Sequence, residues 1–430
     1  MRKTSTTGWR DCTMSDLFKV KHGFAFDGKY FTSEGEYILL TPGNFHDEGG
    51  FKLKDKEKYY VGDIPTDYVL KRGDLLVAMT EQAEGLLGSS AIVPESNRFL
   101  HNQRLGLITE YKRDLIDTSF LYYLFNTRDV RLQIRATASG VKVRHTSPSR
   151  IGEVKVRIPS VSTQHKVASI LSAYDDLIEN NTRRIAILEA MVQTIYREWF
   201  VDFRFPGHEK VKLVDLPLGK IPEGWVMKTL GTVVSLRTEG VVPSDYPEEV
   251  FAHYSFPAFD AGVLPSLECG STIKSNKHIV QDNCVLLAKL NPRIPRIWLP
   301  YLGGSWRPIC STEFLVVVPD TLVTKEFLYC LFQSCTFRDA FGGGAIGTST
   351  SHQRVKPDDF KGRQLLVPPP EVVHSFTEMV LPILRLQHTM RIRNVNLRTT
   401  RDLLLPKLIS GQLDVEDLDI ETGQTVTMTE

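Results

Sequence analysis

Cysteine is scarce in this chain. It occurs 6 times in 430 residues, and no two cysteines form a C-x-x-C pair. Neither a zinc site nor a disulfide framework is indicated, and we expect reduced thiols in a cytoplasmic protein. Long apolar runs are lacking as well. No stretch approaches the ~20 residues that span a bilayer, and no apolar core follows the positive start, so we expect neither a membrane segment nor a signal peptide.

A net excess of charge is also lacking. The 52 Lys and Arg residues and the 51 Asp and Glu residues leave a net charge of +1. That balance argues against a protein that coats nucleic acid without regard to sequence. A protein that reads a DNA sequence needs only a local positive face, and basic residues cluster in both halves of the chain.

Patterns typical of catalysis are missing too. Gly342–Gly347 matches G-x-G-x-x-G, but a helical pattern precedes it where a dinucleotide site needs a strand. No G-x-S-x-G occurs, and the 11 histidines show no metal-ligand spacing. Asp359 and Lys361 resemble part of a metal-dependent nuclease site, but surface charge explains them better, since the repeat described next places Arg150 opposite Asp359. We therefore expect the chain to catalyse nothing by itself.

The chain does contain an internal repeat. Phe120–Phe125 (FLYYLF) returns as Phe327–Phe332 (FLYCLF), and Pro159 returns as Pro368, about 209 residues later. A long helical pattern begins after each of these prolines. Two copies are too few for a solenoid, so we predict the order domain, helix, domain, helix. The predicted segments are 1–158 (N-terminal domain), 159–204 (first helix), 205–367 (linker and second domain), 368–412 (second helix) and 413–430 (flexible acidic tail).

The first helical pattern has the heptad spacing of a coiled coil, with nine of ten seam positions apolar. Its seam is Val167, Leu171, Tyr174, Ile178, Asn181, Ile185, Leu188, Val192, Ile195 and Trp199. A shift of 209 residues gives the second seam, Phe376, Val380, Ile383, Gln387, Met390, Asn394, Leu397, Arg401, Leu404 and Leu408. Each seam has an Asn near its middle, which fixes register and partner in a coiled coil. We predict two helices of about 55–60 Å, paired antiparallel. Pro382 is expected to kink the second helix or to mark a late start.

Each globular domain has the pattern of mixed α and β structure. Short apolar runs bounded by turn residues predict strands at 37–40, 74–78, 105–108, 284–288 and 314–318. One helix per domain is predicted to follow, at about 118–134 and 324–340. The fold class is therefore α+β, with two globular domains separated by two long helices that form an antiparallel coiled coil.

What remains for such a chain is recognition of DNA. Arg pairs in a two-pronged manner with guanine, and Asn or Gln with adenine, while lysines and hydroxyls hold phosphates. Candidate DNA-binding residues of these types are Asn102, Gln103, Arg104, Lys142, Arg144, His145, Lys289, Asn291, Arg293, Arg296 and Arg354. Each could equally be a turn or strand-end residue.

Several segments together resemble the specificity subunit of type I restriction-modification systems, over nearly the whole chain and in the same order. They are the start at Trp9, the strand pattern 73–78, the element 102–104, the helix entry 158–160, the run 176–203 and the ending 405–411. Ser162–His165 departs from the Glu-Gln that the family more often shows at this helix start.

This resemblance implies two target recognition domains, each reading half of an interrupted, asymmetric site in double-stranded DNA. The paired helices would set the spacing and dock two methyltransferase subunits, and restriction (motor-nuclease) subunits would join the complex. The chain itself would hold no cofactor. S-adenosylmethionine, ATP and Mg²⁺ would belong to the partner subunits, and adenine would be the methylated base.

Three alternatives stay open at this point. The partner could combine methylation and cleavage in one chain without a motor. The chain could instead be a metal-dependent nuclease that uses Asp359 and Lys361. It could also be a scaffold that joins proteins through its coiled coil and never touches DNA.

Overall fold

A computed structural model describes residues 8–54, 56–82, 84–216, 219–343 and 353–420. The chain divides into two compact units, residues 1–177 with 397–430 (unit 1) and residues 178–396 (unit 2). The division falls inside both long helices, Val161–Phe200 and Pro370–Ile409. The domain boundaries drawn from the sequence stay predictions.

Unit 1 is built on a four-stranded antiparallel inner sheet. Its strands, in spatial order, are Lys19–His22, Leu105–Thr109, Leu75–Ala78 and Ser90–Ile92. A second sheet, the outer sheet, has the order Phe31–Thr32, Tyr59–Tyr60, Tyr37–Leu39 and Phe99–Leu100, with only the last pair parallel. Two further antiparallel pairs are Arg10–Thr13 with Lys155–Ile158 and Thr80–Glu81 with Arg144–His145.

Unit 2 repeats the inner sheet with the same strand order. Its strands are Val234–Arg237, Phe314–Pro319, Val285–Ala288 and Ile297–Trp298. The outer sheet of unit 2 has five strands in the order Gly240–Val241, Lys277–Ile279, Arg307–Ser311, Val250–Tyr254 and Ser266–Cys269. Two further antiparallel pairs are Val226–Thr229 with Gln364–Val367 and Leu213–Leu216 with Gly219–Pro222.

The single helix predicted for each domain is wrong, because each is two short helices. They are Thr118–Phe125 and Arg128–Ala136 in unit 1, and Lys325–Gln333 and Cys335–Gly343 in unit 2. Thr127 and Ser334 separate them, in extended conformation. Both hydroxyls bond the carbonyl three residues back, at Leu124 and Leu331. Such residues favour a new helix start over continuation.

Smaller helical segments complete the described structure. The remaining α-helices are Pro148–Gly152, Phe256–Gly262 and Pro357–Lys361. Single 3₁₀ turns lie at Met14–Asp16, Gly28–Tyr30, Pro42–Asn44, Thr66–Tyr68, His208–Lys210, Leu230–Thr232, Pro243–Asp245 and Gly270–Thr272. Within the described ranges, no helix combines the length and apolar character that crossing a membrane requires.

The inner sheets and short helices enclose the main hydrophobic cores. In unit 1, Phe120, Phe125 and Leu171 are fully buried in one cluster. In unit 2, Phe327 and Phe376 lie in the corresponding cluster. Each first short helix begins with a side-chain cap: Asp117 Oδ1 accepts from the Phe120 N–H at 2.7 Å, and Thr324 Oγ1 from the Phe327 N–H at 3.2 Å.

The long helices pair in an antiparallel sense in each unit. In unit 2, Trp199 contacts Phe376 with ring centroids 5.8 Å apart, whereas Asn181 Nδ2 donates to Asn394 Oδ1 at 2.9 Å. In unit 1, Arg401 Nη1 donates to Asp175 Oδ1 at 2.5 Å. The predicted α+β class and antiparallel coiled coil are confirmed. The second helix begins at Pro370 and runs unbroken through Pro382, so the late start is wrong.

Candidate nucleic-acid interface

The element 102–104 forms a tight turn that its own side chain closes. Asn102 Oδ1 accepts from the Arg104 N–H at 2.9 Å, and the Asn102 carbonyl accepts from the Leu105 N–H at 2.9 Å. Asn102 therefore shapes the turn, while Gln103 and Arg104 are exposed at its tip.

His101 supports this turn from the buried side. Its Nε2 bonds the Leu105 carbonyl at 2.9 Å, and the ring is fully buried. Burial, with a smaller contribution from the positive charge of Lys21, lowers the pKa of His101 to about 4, although the hydrogen bond to the Leu105 carbonyl acts in the opposite direction. The imidazole is therefore neutral at pH 7 and donates through Nε2. Its buried Nδ1 has no hydrogen-bond partner in the described structure.

The basic segment 142–145 lies on a small hairpin. Ser139 and His145 exchange backbone hydrogen bonds of 2.9 and 2.8 Å, and Lys142 is exposed in the loop between them. In the register of the two strands, Arg144 lies opposite Glu81 and His145 opposite Thr80. Arg144 is half-buried, and His145 is exposed.

These two segments of unit 1 meet at Met79, which continues the inner strand Leu75–Ala78. The Met79 N–H donates to the Arg104 carbonyl, and the Met79 carbonyl accepts from the Thr146 N–H, both at 2.9 Å. We call this arrangement the junction of unit 1. It brings the predicted candidates Gln103, Arg104, Arg144 and His145 together.

Unit 2 contains the same junction, centred on Lys289. The Lys289 N–H donates to the Glu313 carbonyl, and the Lys289 carbonyl accepts from the Val355 N–H, both at 3.0 Å. The Asn291 N–H donates to the Gln353 carbonyl at 2.8 Å, so the junction of unit 2 brings Lys289, Asn291 and Arg354 together. Lys289 and Asn291 are half-buried, and Arg354 is exposed.

Asn291 has a strained backbone at the junction of unit 2. Its φ is +50°, in the left-handed region, where Asn is among the few tolerated residues. Its buried Oδ1 has no hydrogen-bond partner among the residues that the structure describes.

The arginines of unit 2 differ in what they contact. Arg296 donates from Nε and Nη2 to both carboxylate oxygens of Asp260, at 2.8 and 2.7 Å, and lies over the Phe256 ring. Arg354 makes the same two-pronged contact with Glu313, at 3.1 and 2.9 Å, and that hydrogen bonding raises the pKa of Arg354. Arg293 is exposed. Arg296 and Arg354 are therefore both held by carboxylates, but the Arg296 side chain is 13% exposed and the Arg354 side chain 51%. A role for Arg296 in binding DNA stays a prediction.

The turn of unit 2 at Ser311–Glu313 was not predicted from the sequence. Ser311 Oγ accepts from the Glu313 N–H at 3.3 Å, as Asn102 does for Arg104. The two turns are 209 residues apart, which is the period of the repeat, so the shift that located the second seam could have located this turn.

The side chains at the seam positions of the long helices are shielded from solvent. All ten positions from Val167 to Trp199, and all ten from Phe376 to Leu408, are buried or half-buried. Large apolar residues outside the seam are exposed instead. They are Leu177 and Leu403 in unit 1, and Ile187, Met191, Met379, Leu386, Ile392 and Val395 in unit 2. Single exposed apolar side chains are common on protein surfaces, and only where they adjoin do they mark a surface that binds further protein.

The side chains that the structure describes give no support to a metal-dependent site. Within the described ranges, no three His, Cys, Asp or Glu residues gather as a metal ion would require. Asp359 and Lys361 are exposed on the short helix Pro357–Lys361. The greater part of Gly342–Gly347 lies outside the described residues.

Comparison with known proteins agrees with this arrangement. Residues 6–190 match the family model of the type I restriction modification DNA specificity domain. The MjaIX specificity subunit of Methanocaldococcus jannaschii is 24% identical over 317 residues, which are 71% of either chain. The HindI specificity subunit of Haemophilus influenzae is 23% identical over 82% of this chain and 90% of its own.

A solved structure is similar in fold. The S subunit of the type I restriction-modification system from M. genitalium matches with a TM-score of 0.60 over 95% of this chain and 98% of that one, at 16% identity. The match supports the architecture of α+β domains and paired long helices.

Proposed function

Because the chain belongs to the family of type I restriction-modification specificity subunits, we propose that it reads DNA for such a complex and is not catalytic by itself. The observation that carries the proposal is the junction present in both units. One backbone arrangement, at Met79 and at Lys289, presents two different sets of polar side chains. Two readers on one frame suit a target with two different halves.

In this proposal each unit reads one half of an interrupted, asymmetric site. The hydrogen-bonding groups of Gln103 and Arg104 would face base edges in one half, and those of Arg354 in the other. Exposed lysines such as Lys142 would contact phosphates, which positions the protein but carries little sequence information. Arg293 remains a candidate for either role.

The long helices would set the spacing between the two halves. Half-sites one helical turn apart lie ~34–36 Å from each other, and a 40-residue helix is about 60 Å long at ~1.5 Å per residue. Paired helices resist bending better than a loop would, because the seam holds them in one register.

The exposed apolar residues outside the seam would dock two methyltransferase subunits, and restriction subunits would complete the complex. S-adenosylmethionine, ATP and Mg²⁺ would be bound by those partners. An adenine flipped out of the duplex needs an active site beside the reader, which is why a reader without catalytic groups would work only in a complex.

Single-molecule sequencing of adenine methylation tests this function. A host that expresses the chain with its adjacent methyltransferase gene should methylate one interrupted motif with two unequal specified halves. Deleting the chain while keeping the methyltransferase should abolish that methylation. A methylation pattern unchanged by the deletion would contradict the proposal.

A further inference from the structure

The two turns at the junctions have the same construction. In each, the first side chain accepts a hydrogen bond from the N–H two residues later, from Asn102 to Arg104 and from Ser311 to Glu313. In each, the last residue gives its carbonyl to the inner strand, at Met79 or Lys289. Side chains at equivalent places of the two turns therefore occupy equivalent places in the two junctions.

The residue that pairs with the extension of the inner strand is equivalent in the two junctions too. His145 pairs with Thr80 in unit 1, and Arg354 bridges to Leu290 in unit 2, again 209 residues along the chain. Each junction thus has a turn position and a strand position. They are filled by Arg104 and His145 in unit 1, and by Glu313 and Arg354 in unit 2.

Of these two positions, the one that holds an arginine therefore differs between the junctions. In unit 1 it is on the turn, where Arg104 is exposed. In unit 2 it is on the strand, and the carboxylate that replaces it on the turn grips its Nε and Nη2. The Arg354 side chain nevertheless remains 51% exposed. A carboxylate that holds one edge of a guanidinium fixes the direction of the remaining N–H groups.

We propose that Arg104 and Arg354 each specify a guanine, one in each half of the target, and that Glu313 is a positioning residue for Arg354. Arginine reads the O6 and N7 acceptors of guanine in the major groove. Because the two arginines project from different segments, the two junctions place a guanidinium at different points of the same frame. The same fold then reads different sequences without a change of backbone. This inference rests on the proposed function.

The test is the methylated motif produced by the full chain with its methyltransferase partner. Arg104→Ala should relax one G·C pair in one half, and Arg354→Ala one G·C pair in the other. Discrimination at that pair should fall roughly 5- to 150-fold. Each variant should leave the opposite half of the motif unchanged, which shows that the subunit has folded and assembled.

Conservative variants separate base reading from mere charge. Arg104→Lys keeps the charge but loses the two-pronged geometry, so it should relax the same pair as Arg104→Ala. Glu313→Gln should relax the pair that Arg354→Ala relaxes, but less strongly. Arg113 is an exposed arginine beyond the far end of strand Leu105–Thr109, and Arg113→Ala should leave both halves unchanged.

Three outcomes would overturn the inference. A motif unchanged by both Arg104→Ala and Arg354→Ala would show that these residues read no base, while the wild-type bipartite motif would still support the proposed function. Uniformly weaker methylation in these variants, with no base relaxed, would assign them to phosphates. A wild-type chain that directs no bipartite motif would overturn the proposed function together with this inference.

Discussion

The two units build the same inner sheet from different residues, yet they carry different outer sheets. Both inner sheets have four antiparallel strands in one spatial order, with fully buried segments Leu75–Ala78 and Val285–Ala288 at corresponding places. The outer sheet has four short strands in unit 1 and five strands in unit 2. A buried sheet needs apolar side chains of suitable volume and not particular ones, so the frame persists while its attachments change.

The junctions show the same contrast on a smaller scale. Their hydrogen bonds join backbone groups, which are present whatever the side chain is. Met79 can therefore become Lys289, and Arg104 can become Glu313, without loss of the arrangement. A frame made of backbone bonds permits the exposed positions to vary, and that variation is what a change of DNA target requires.

The shared frame can be tested at its cores. Phe120→Ala and Phe327→Ala remove equivalent side chains that are 0% and 1% exposed. Each should lower the free energy of unfolding of its own unit by about 3–5 kcal/mol, because a buried Phe leaves a cavity that its surroundings fill only in part. Hydrogen exchange followed by mass spectrometry at rising denaturant would measure both units at once.

A matched control for this comparison is Leu132→Ala. Leu132 lies on a short helix of unit 1 and is 52% exposed, so its removal should change stability by less than about 1 kcal/mol. If either Phe variant lowered the protection of both units equally, the two cores would not be independent, and the contrast between frame and attachment would lose its basis.

Much of the frame was predictable because it depends on periodicity. The heptad pattern located both seams, and the apolar runs located the buried inner strands, since burial on two faces leaves a continuous apolar segment. The antiparallel pairing followed from the two-copy layout. Periodic burial is a property of the sequence itself, so a sequence can reveal it.

The outer sheets and the surroundings of the candidate DNA-binding residues were not predictable in this way. Strands such as Phe31–Thr32 and Phe99–Leu100 have two residues, too few to show a period, and they exist because tertiary pairing holds them. Arg296 was a candidate because it is basic, and only the structure shows that Asp260 lies against it. The turn Ser311–Glu313 lacks the Asn-Gln-Arg sequence of its counterpart, so its residue types did not reveal it and only the 209-residue shift could have.

A pH dependence should distinguish the two turns. The position before each turn is His101 in unit 1 and Cys310 in unit 2, and both are fully buried. The pKa of His101 is lowered from 6.5 to about 4. As pH falls below 6.5 the unfolded chain binds the proton first, so the stability that the neutral ring contributes is present above pH 6.5 and is lost progressively down to pH 4. The loss amounts to about 3 kcal/mol at most.

His101→Gln isolates this contribution, because Gln can still donate to the Leu105 carbonyl but does not titrate in this range. Denaturant unfolding of wild type and variant at several pH values between 4 and 7.5 should give a stability difference that shrinks as pH falls. Wild type should lose stability at low pH, and the variant should lose less. Hydrogen exchange should show that this difference lies in unit 1. A pH-independent difference would mean that the pKa of His101 is the same in the folded and unfolded chain, which would contradict its lowering by burial.

The long helices are the part of the frame in which both copies contribute the same residue, and Asn394→Ala tests that likeness. Asn394 is buried; it accepts from Asn181 Nδ2 at 2.9 Å and donates to the Ile178 carbonyl and Thr182 Oγ1. Removing it leaves Asn181 without this bond and should cost about 1–3 kcal/mol.

Replacing Asn181 and Asn394 together by Leu should recover that loss, because no amide is then stranded in the seam, although the helices lose the pair that fixes their register. Thermal unfolding of the two single Leu variants and the double variant gives the coupling energy. A coupling near zero would show that the two amides do not act as a pair.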